Sequence, residues 1–99
     1  MALDEILAQV LASNPKERIV FRHIFQQILN RGYARTTDTA RDLNMQPRTV
    51  RKYYKKLEER GVIDKRRVRL EGGYEWRYVW GAELKYILQR GYKPIVKGG

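Results

Sequence analysis

The hydrophobic positions recur with a helical period up to about residue 60. They change to a period of two from Ile63 and return to a helical period after Gly81. Leu3, Ile6, Leu7, Val10 and Leu11 fall at i, i+3, i+4, i+7 and i+8, which predicts an amphipathic helix over about 2–13. Asp4 and Glu5 suit its positive N-terminal end. Asn14-Pro15 ends that pattern and opens the next, with Asn14 as N-cap, Pro15 in the first turn and Glu17 at capping-box spacing. This second helix reaches about Arg31 and stops at Gly32, a residue suited to a left-handed cap. Its apolar residues (Ile19, Val20, Phe21, Ile24, Phe25, Ile28, Leu29) cover more than one face, so it must be buried from two sides.

Tyr33-Ala34-Arg35-Thr36 is short enough for a brief strand. Thr36 or Thr37 then caps a short helix over 38–43, with Ala40 and Leu43 inward. Asn44 stands where the chain needs a left-handed residue. Pro47 opens a helix that runs to about Arg60 and is closed by Gly61. Val50, Tyr54 and Leu57 form its core stripe. Arg48, Lys52 and Lys55 repeat the same spacing on the opposite face, flanked by Arg51 and Lys56.

From Ile63 the alternation predicts a β-hairpin turning at Gly72-Gly73. A three-residue loop, Glu71-Gly72-Gly73, pairs 70 with 74 and 68 with 76. It collects Val68, Leu70, Tyr74, Trp76 and Tyr78 on one face and sets Arg69 opposite Glu75. The aromatic series Tyr74, Trp76, Tyr78, Trp80 would also suit a base-stacking platform for single strands. Sharing a face with Val68 and Leu70 assigns these rings to the core instead. A last helix is predicted over 82–90, with Leu84, Ile87 and Leu88 on one side, followed by a tail over 91–99.

Ninety-nine residues support one domain: an N-terminal helix in 1–13, a core in 15–80, the helix 82–90 and the tail. At 42% hydrophobic and 32% charged the chain is globular rather than disordered. It holds no cysteine, which excludes disulfides and thiolate metal sites. The single histidine, His23, lies opposite Phe21, Phe25 and Ile28 and is expected at the surface. No Gly-rich phosphate loop or Ser/His/Asp pattern is present, so neither an enzyme nor a cofactor is expected. Acids near the N-terminus and the lack of an apolar run of ~20 residues point to a cytoplasmic protein, at a nucleoid or in a host cell.

Charge changes the picture most. The net charge is +10, and the stretch from Arg48 to Arg69 holds ten Lys/Arg against three acids. The excess therefore sits on one helix and the hairpin after it. A polyanion is the natural partner, because each neutralised phosphate releases condensed counterions.

Two helices around a tight turn and then a basic hairpin resemble a winged helix-turn-helix. The stretch Thr37-Asp38-Thr39-Ala40-Arg41-Asp42-Leu43-Asn44-Met45-Gln46-Pro47-Arg48-Thr49-Val50, with Leu57-Glu58-Glu59-Arg60-Gly61-Val62-Ile63, is similar to the core of MarR-like and small archaeal winged-helix transcription regulators. The resemblance covers roughly 16–80 and implies a mainly α fold with a β-hairpin wing, in the order α-α-(β)-α-α-β-β-α. Asn44 stands where many members have Gly, and Thr39 where an apolar residue is common. No sensor domain follows, so no small-molecule effector is expected.

The resemblance further implies that helix 47–60 enters a DNA major groove. Gln46, Arg48 and Thr49 would lie nearest base edges, with Lys52 behind. Arg51, Lys55 and Lys56 would touch phosphates, and Thr36 and Thr37 at a helix start another. The wing would present Arg67, Arg69 and Arg77 to the backbone or a minor groove. The expected function is a double-stranded-DNA-binding transcriptional regulator, a homodimer through its N-terminal or C-terminal helix. An RNA-binding or ribosomal winged helix, and a protein-interaction winged helix in a larger complex, are the competing readings.

Overall fold

The computed structural model of the protein describes residues 2–82 and 84–86. Within them four helices, α1 (Leu3–Leu11), α2 (Pro15–Arg31), α3 (Thr36–Leu43) and α4 (Pro47–Glu59), precede an antiparallel hairpin of β1 (Ile63–Leu70) and β2 (Gly73–Trp80). The fold is therefore mainly helical with one β-hairpin. Residues 82 and 84–86 are helical again; the rest of the helix expected over 82–90, and the tail 91–99, lie outside the described residues. Among the described residues no helix is long and apolar enough to cross a membrane.

α2 is the axis of the core. Val20, Phe21, Ile24, Phe25 and Ile28 are buried, with α1 packed against one side and α3 and α4 against another. Trp80 at the end of β2 closes on the same helix, its ring 5.3 Å from Phe25 and 6.2 Å from Phe21. Full burial of an aliphatic or aromatic side chain contributes about 1.5–3 kcal/mol, so each of these residues is a substantial contributor to stability. Burial from two sides was expected of α2, but Ile19 and Leu29 stay exposed. α1 buries only part of its stripe: Leu7 and Ala8 are inside, while Leu3, Ile6 and Val10 face outward.

Helix ends follow the sequence signals. The Asn14 side-chain oxygen accepts the Glu17 N–H at 2.9 Å, and the Glu17 carboxylate accepts the Ser13 N–H. Gly32 adopts φ +95 and donates its N–H to the Ile28 carbonyl at 2.8 Å. Asn44 takes φ 53, ψ 48, which turns the chain between α3 and α4. One expectation fails here: α3 begins at Thr36 with Arg35 as its cap, so neither threonine caps it. Asp38 is instead drawn inward by Arg31 and Arg35, which fixes the first turn.

Arg60, just past α4, belongs to the fold. Its guanidinium donates to the Leu11 carbonyl and Ser13 Oγ, both at 2.5 Å, and reaches the Glu17 carboxylate at 3.3 Å. Glu17 is fully buried. One ion pair thus ties the α1–α2 junction to the end of α4. His23 is not a surface residue either. Its Nε2 lies 2.9 Å from Asp42 Oδ2 and its Nδ1 2.9 Å from Thr39 Oγ1. A carboxylate only accepts, so Nε2 donates. Thr39 Oγ1 in turn meets Tyr54 Oη at 2.6 Å, and Tyr54 donates to the Arg35 carbonyl at 3.1 Å. This polar chain explains why Thr39 occupies a fully buried position.

The brief strand at 33–36 is a single bridge: Ala34 and Tyr78 exchange N–H to carbonyl bonds of 2.8 Å each way. The hairpin register corrects the expected one. Leu70 pairs with Gly73, Val68 with Glu75, Arg67 with Trp76 and Lys65 with Tyr78, around a two-residue Glu71-Gly72 loop with Gly72 at φ +90. A shift of one residue exchanges the faces of one strand. Val68 and Leu70 now share a face with Glu75 and Arg77. Lys65, Arg67 and Arg69 share the other with Tyr74, Trp76 and Tyr78. Arg69 therefore faces Tyr74, not Glu75. Only the base of the aromatic series enters the core. Tyr78 is buried edge-on to Tyr54 at 4.8 Å and Trp80 packs on α2, whereas Trp76 and Tyr74 are 51% and 61% exposed.

Candidate nucleic-acid interface

α4 is built two-sided. Pro47 fixes its first turn, and Val50, Tyr53, Tyr54 and Leu57 anchor its inner face. Tyr53 is buried as well, with Lys52 Nζ 5.4 Å from its ring centroid. At 100° per residue, Arg48, Arg51, Lys52, Lys55 and Lys56 occupy an arc of roughly 140° on the outer face. All five are exposed. Among the described residues none of them is ion-paired to an acid; Glu58 and Glu59 follow only in the last turn. Gln46 is exposed at the N-cap, and Thr49 is half-buried one turn in. Both line a shallow groove beside Ile19, Leu43 and Met45.

The elements behind α4 are held by a charged buttress. Asp38, almost fully buried, accepts from Arg35 at 2.8 and 3.1 Å and from Arg31 at 2.5 Å. The Arg35 hydrogen bonds, opposed by burial and helped by Arg31, hold its pKa down at about 2. Arg35 also donates to Glu75 at 2.8 Å, and Glu75 accepts from Arg77 at 2.6 Å. Asp38 and Glu75 together hold Arg35 protonated well above the ordinary guanidinium range. The Arg77 and Arg31 guanidiniums lie 3.9 and 4.3 Å from the Tyr33 ring centroid. The start of α3, the end of α2 and the middle of β2 are thereby joined.

The expected contact residues fall into separate groups. Arg48, Arg51, Lys52, Lys55 and Lys56 come together on α4. Arg67 and Arg69 are exposed on the aromatic face of the hairpin. Arg77 points from the other face, engaged by Glu75 and Tyr33. Thr37 is exposed and Thr36 half-buried at the start of α3.

Lys65 is not among the expected contact residues, and Tyr74 and Trp76, expected in the core, lie on the charged surface instead. Lys65 Nζ sits 4.4 Å from the Trp76 ring centroid, and Arg67 Cζ sits 4.6 Å from that of Tyr74. Each cation covers the ring diagonal to its own cross-strand partner. The signal was present: cations at 65, 67 and 69 complement rings at 74, 76 and 78 only when odd positions of β1 face even positions of β2.

Compared with known proteins, the chain matches no family model and has no significant similarity to a curated protein.

Proposed function

We propose that the protein is a winged helix-turn-helix that binds double-stranded DNA and regulates transcription by occupying its site. In this reading α3, the Asn44 turn and α4 are the helix-turn-helix, and β1 and β2 are the wing. One observation carries it: α4 is fixed by a buried apolar side and turns five exposed cations outward, none of them paired to an acid among the described residues. The turn presents Gln46, Arg48 and Thr49 at the end of α4 that would meet base edges. Arg51, Lys55 and Lys56 would position the backbone, with Arg67 and Arg69 reaching it from the hairpin. The protein acts inside the cell as a binding protein, without a cofactor.

Leu3, Ile6 and Val10 leave one side of α1 apolar and exposed, which supports a homodimer through this helix. Two copies would cover a pseudo-palindromic site. Selection of bound sequences from a random duplex library tests the reading. The expected result is an enriched motif with dyad symmetry. Absence of any enriched motif, together with stronger binding to structured RNA than to duplex DNA, would overturn it.

A further inference from the structure

The duplex reading uses the cations of the hairpin and leaves its rings without a task. Tyr74 and Trp76 stand at alternate positions of β2, beyond the part of the strand that packs on the core. More than half of each is open to solvent. Exposed single aromatics are common on protein surfaces; two adjacent ones interleaved with cations are a different arrangement. The face they share carries Lys65, Arg67 and Arg69 and no acid. Asp64 and Glu75 belong to the opposite face and Glu71 to the turn.

We propose that this hairpin face binds an unpaired DNA segment, whose bases stack on Trp76 and Tyr74 while its phosphates follow Lys65, Arg67 and Arg69. The preferred ligand is then a duplex with a single-stranded extension, and for the duplex part the proposal rests on the reading of α4 given above. The chemistry of the face fits such a strand. Every base presents a π-face, so stacking needs no sequence match, and a basic track beside the rings holds the backbone. Three cations at every second residue of an extended strand repeat about every 6.7 Å, so successive phosphates of an extended strand can be met in turn. Lys65 and Arg67 already lie against the rings, which restricts their motion and leaves the uncovered ring surface for a base. A duplex keeps its bases stacked internally and offers these rings nothing but its backbone.

The test compares a blunt duplex with the same duplex carrying a short thymidine tail. The tail should tighten binding, and Trp76→Ala should weaken the tailed ligand about tenfold or more while leaving the blunt one unchanged. Trp76→Phe keeps a ring and should retain most of the gain. It also provides a second readout: the tail should quench the tryptophan emission of the natural protein but not that of Trp76→Phe. Equal affinity for tailed and blunt duplexes, with no quenching, overturns this inference and leaves the duplex reading standing. Equal losses for both ligands in Trp76→Ala overturn it as well, since the ring would then only support the hairpin. Binding of the tail with no affinity for the blunt duplex would support the hairpin site and sink the reading of α4.

Discussion

The salt dependence of duplex binding follows from which cations are free. Arg51, Lys55 and Lys56 on α4, and Arg67 and Arg69 on the hairpin, are exposed, and in the proposed reading they would meet phosphates. Five neutralised phosphates at about 0.9 each give a slope of about −4.5 for log affinity against log salt. Between about 50 and 200 mM salt, affinity should then fall by roughly 500-fold for one bound chain, with twice that slope for a dimer. Fluorescence anisotropy of a labelled duplex across that range measures it. Lys56→Ala should flatten the slope by about 0.9 and weaken all sequences alike. Arg48→Ala should instead relax base preference by ~1–3 kcal/mol. Arg77→Ala should leave the slope unchanged, because Glu75 and Tyr33 already hold that guanidinium. A slope shallower than about −2 in the natural protein would refute the reasoning, because so few released counterions cannot come from this surface.

Arg60 lies inside the basic segment yet serves the fold. Arg60→Ala should lower stability by about 1.5–3 kcal/mol in thermal unfolding, by leaving buried Glu17 without its cation, with little change in salt slope. At Gly81 a Cβ would sit 2.2 Å from the Gly61 carbonyl oxygen and 3.1 Å from the Ile63 nitrogen. Gly81→Ala should therefore cost about 1–3 kcal/mol in urea denaturation by forcing backbone apart at the root of the hairpin. The Asp38 carboxyl is held at about 2 in the folded chain, below its ordinary 3.8, so its contribution is complete above that ordinary value and is lost as pH falls through about 2. The stability gap between the natural protein and Asp38→Asn should accordingly be widest near neutrality and close over that acid range. A gap independent of pH would assign the effect to packing alone.

Much of the helical framework was legible because each boundary had its own local cause. Asn14 and Pro15, Gly32, Asn44 and Pro47 each act through the backbone of one or two residues, and all took the conformations their chemistry favours. The stripes of α2 and α4 were legible for a related reason, since a helical period reports a buried face directly. Long-range polar partners were not. Nothing near Glu17 in sequence announces Arg60, and nothing near Asp38 announces that α3 is fixed by Arg31 and Arg35 rather than by a threonine cap. The same holds for His23. Opposite the apolar face of α2 lies not solvent but α3, which supplies Asp42 and Thr39.

The hairpin fails differently, and its failure bears on function. Gathering apolar residues on one face predicts register only where that face is buried. Here the core reaches only to Tyr78 and Trp80, so beyond them burial exerts no vote. The two-residue turn at Glu71-Gly72 and the pairing of cations with rings decide instead. The outcome leaves Val68 half-buried and Leu70 40% exposed on one face, and Trp76 and Tyr74 open on the other. A hairpin shaped for stability alone would bury its largest rings against the helices. This one buries its aromatic surface at the root and keeps the remainder beside lysine and arginine, a division that the proposed surface for unpaired bases would need.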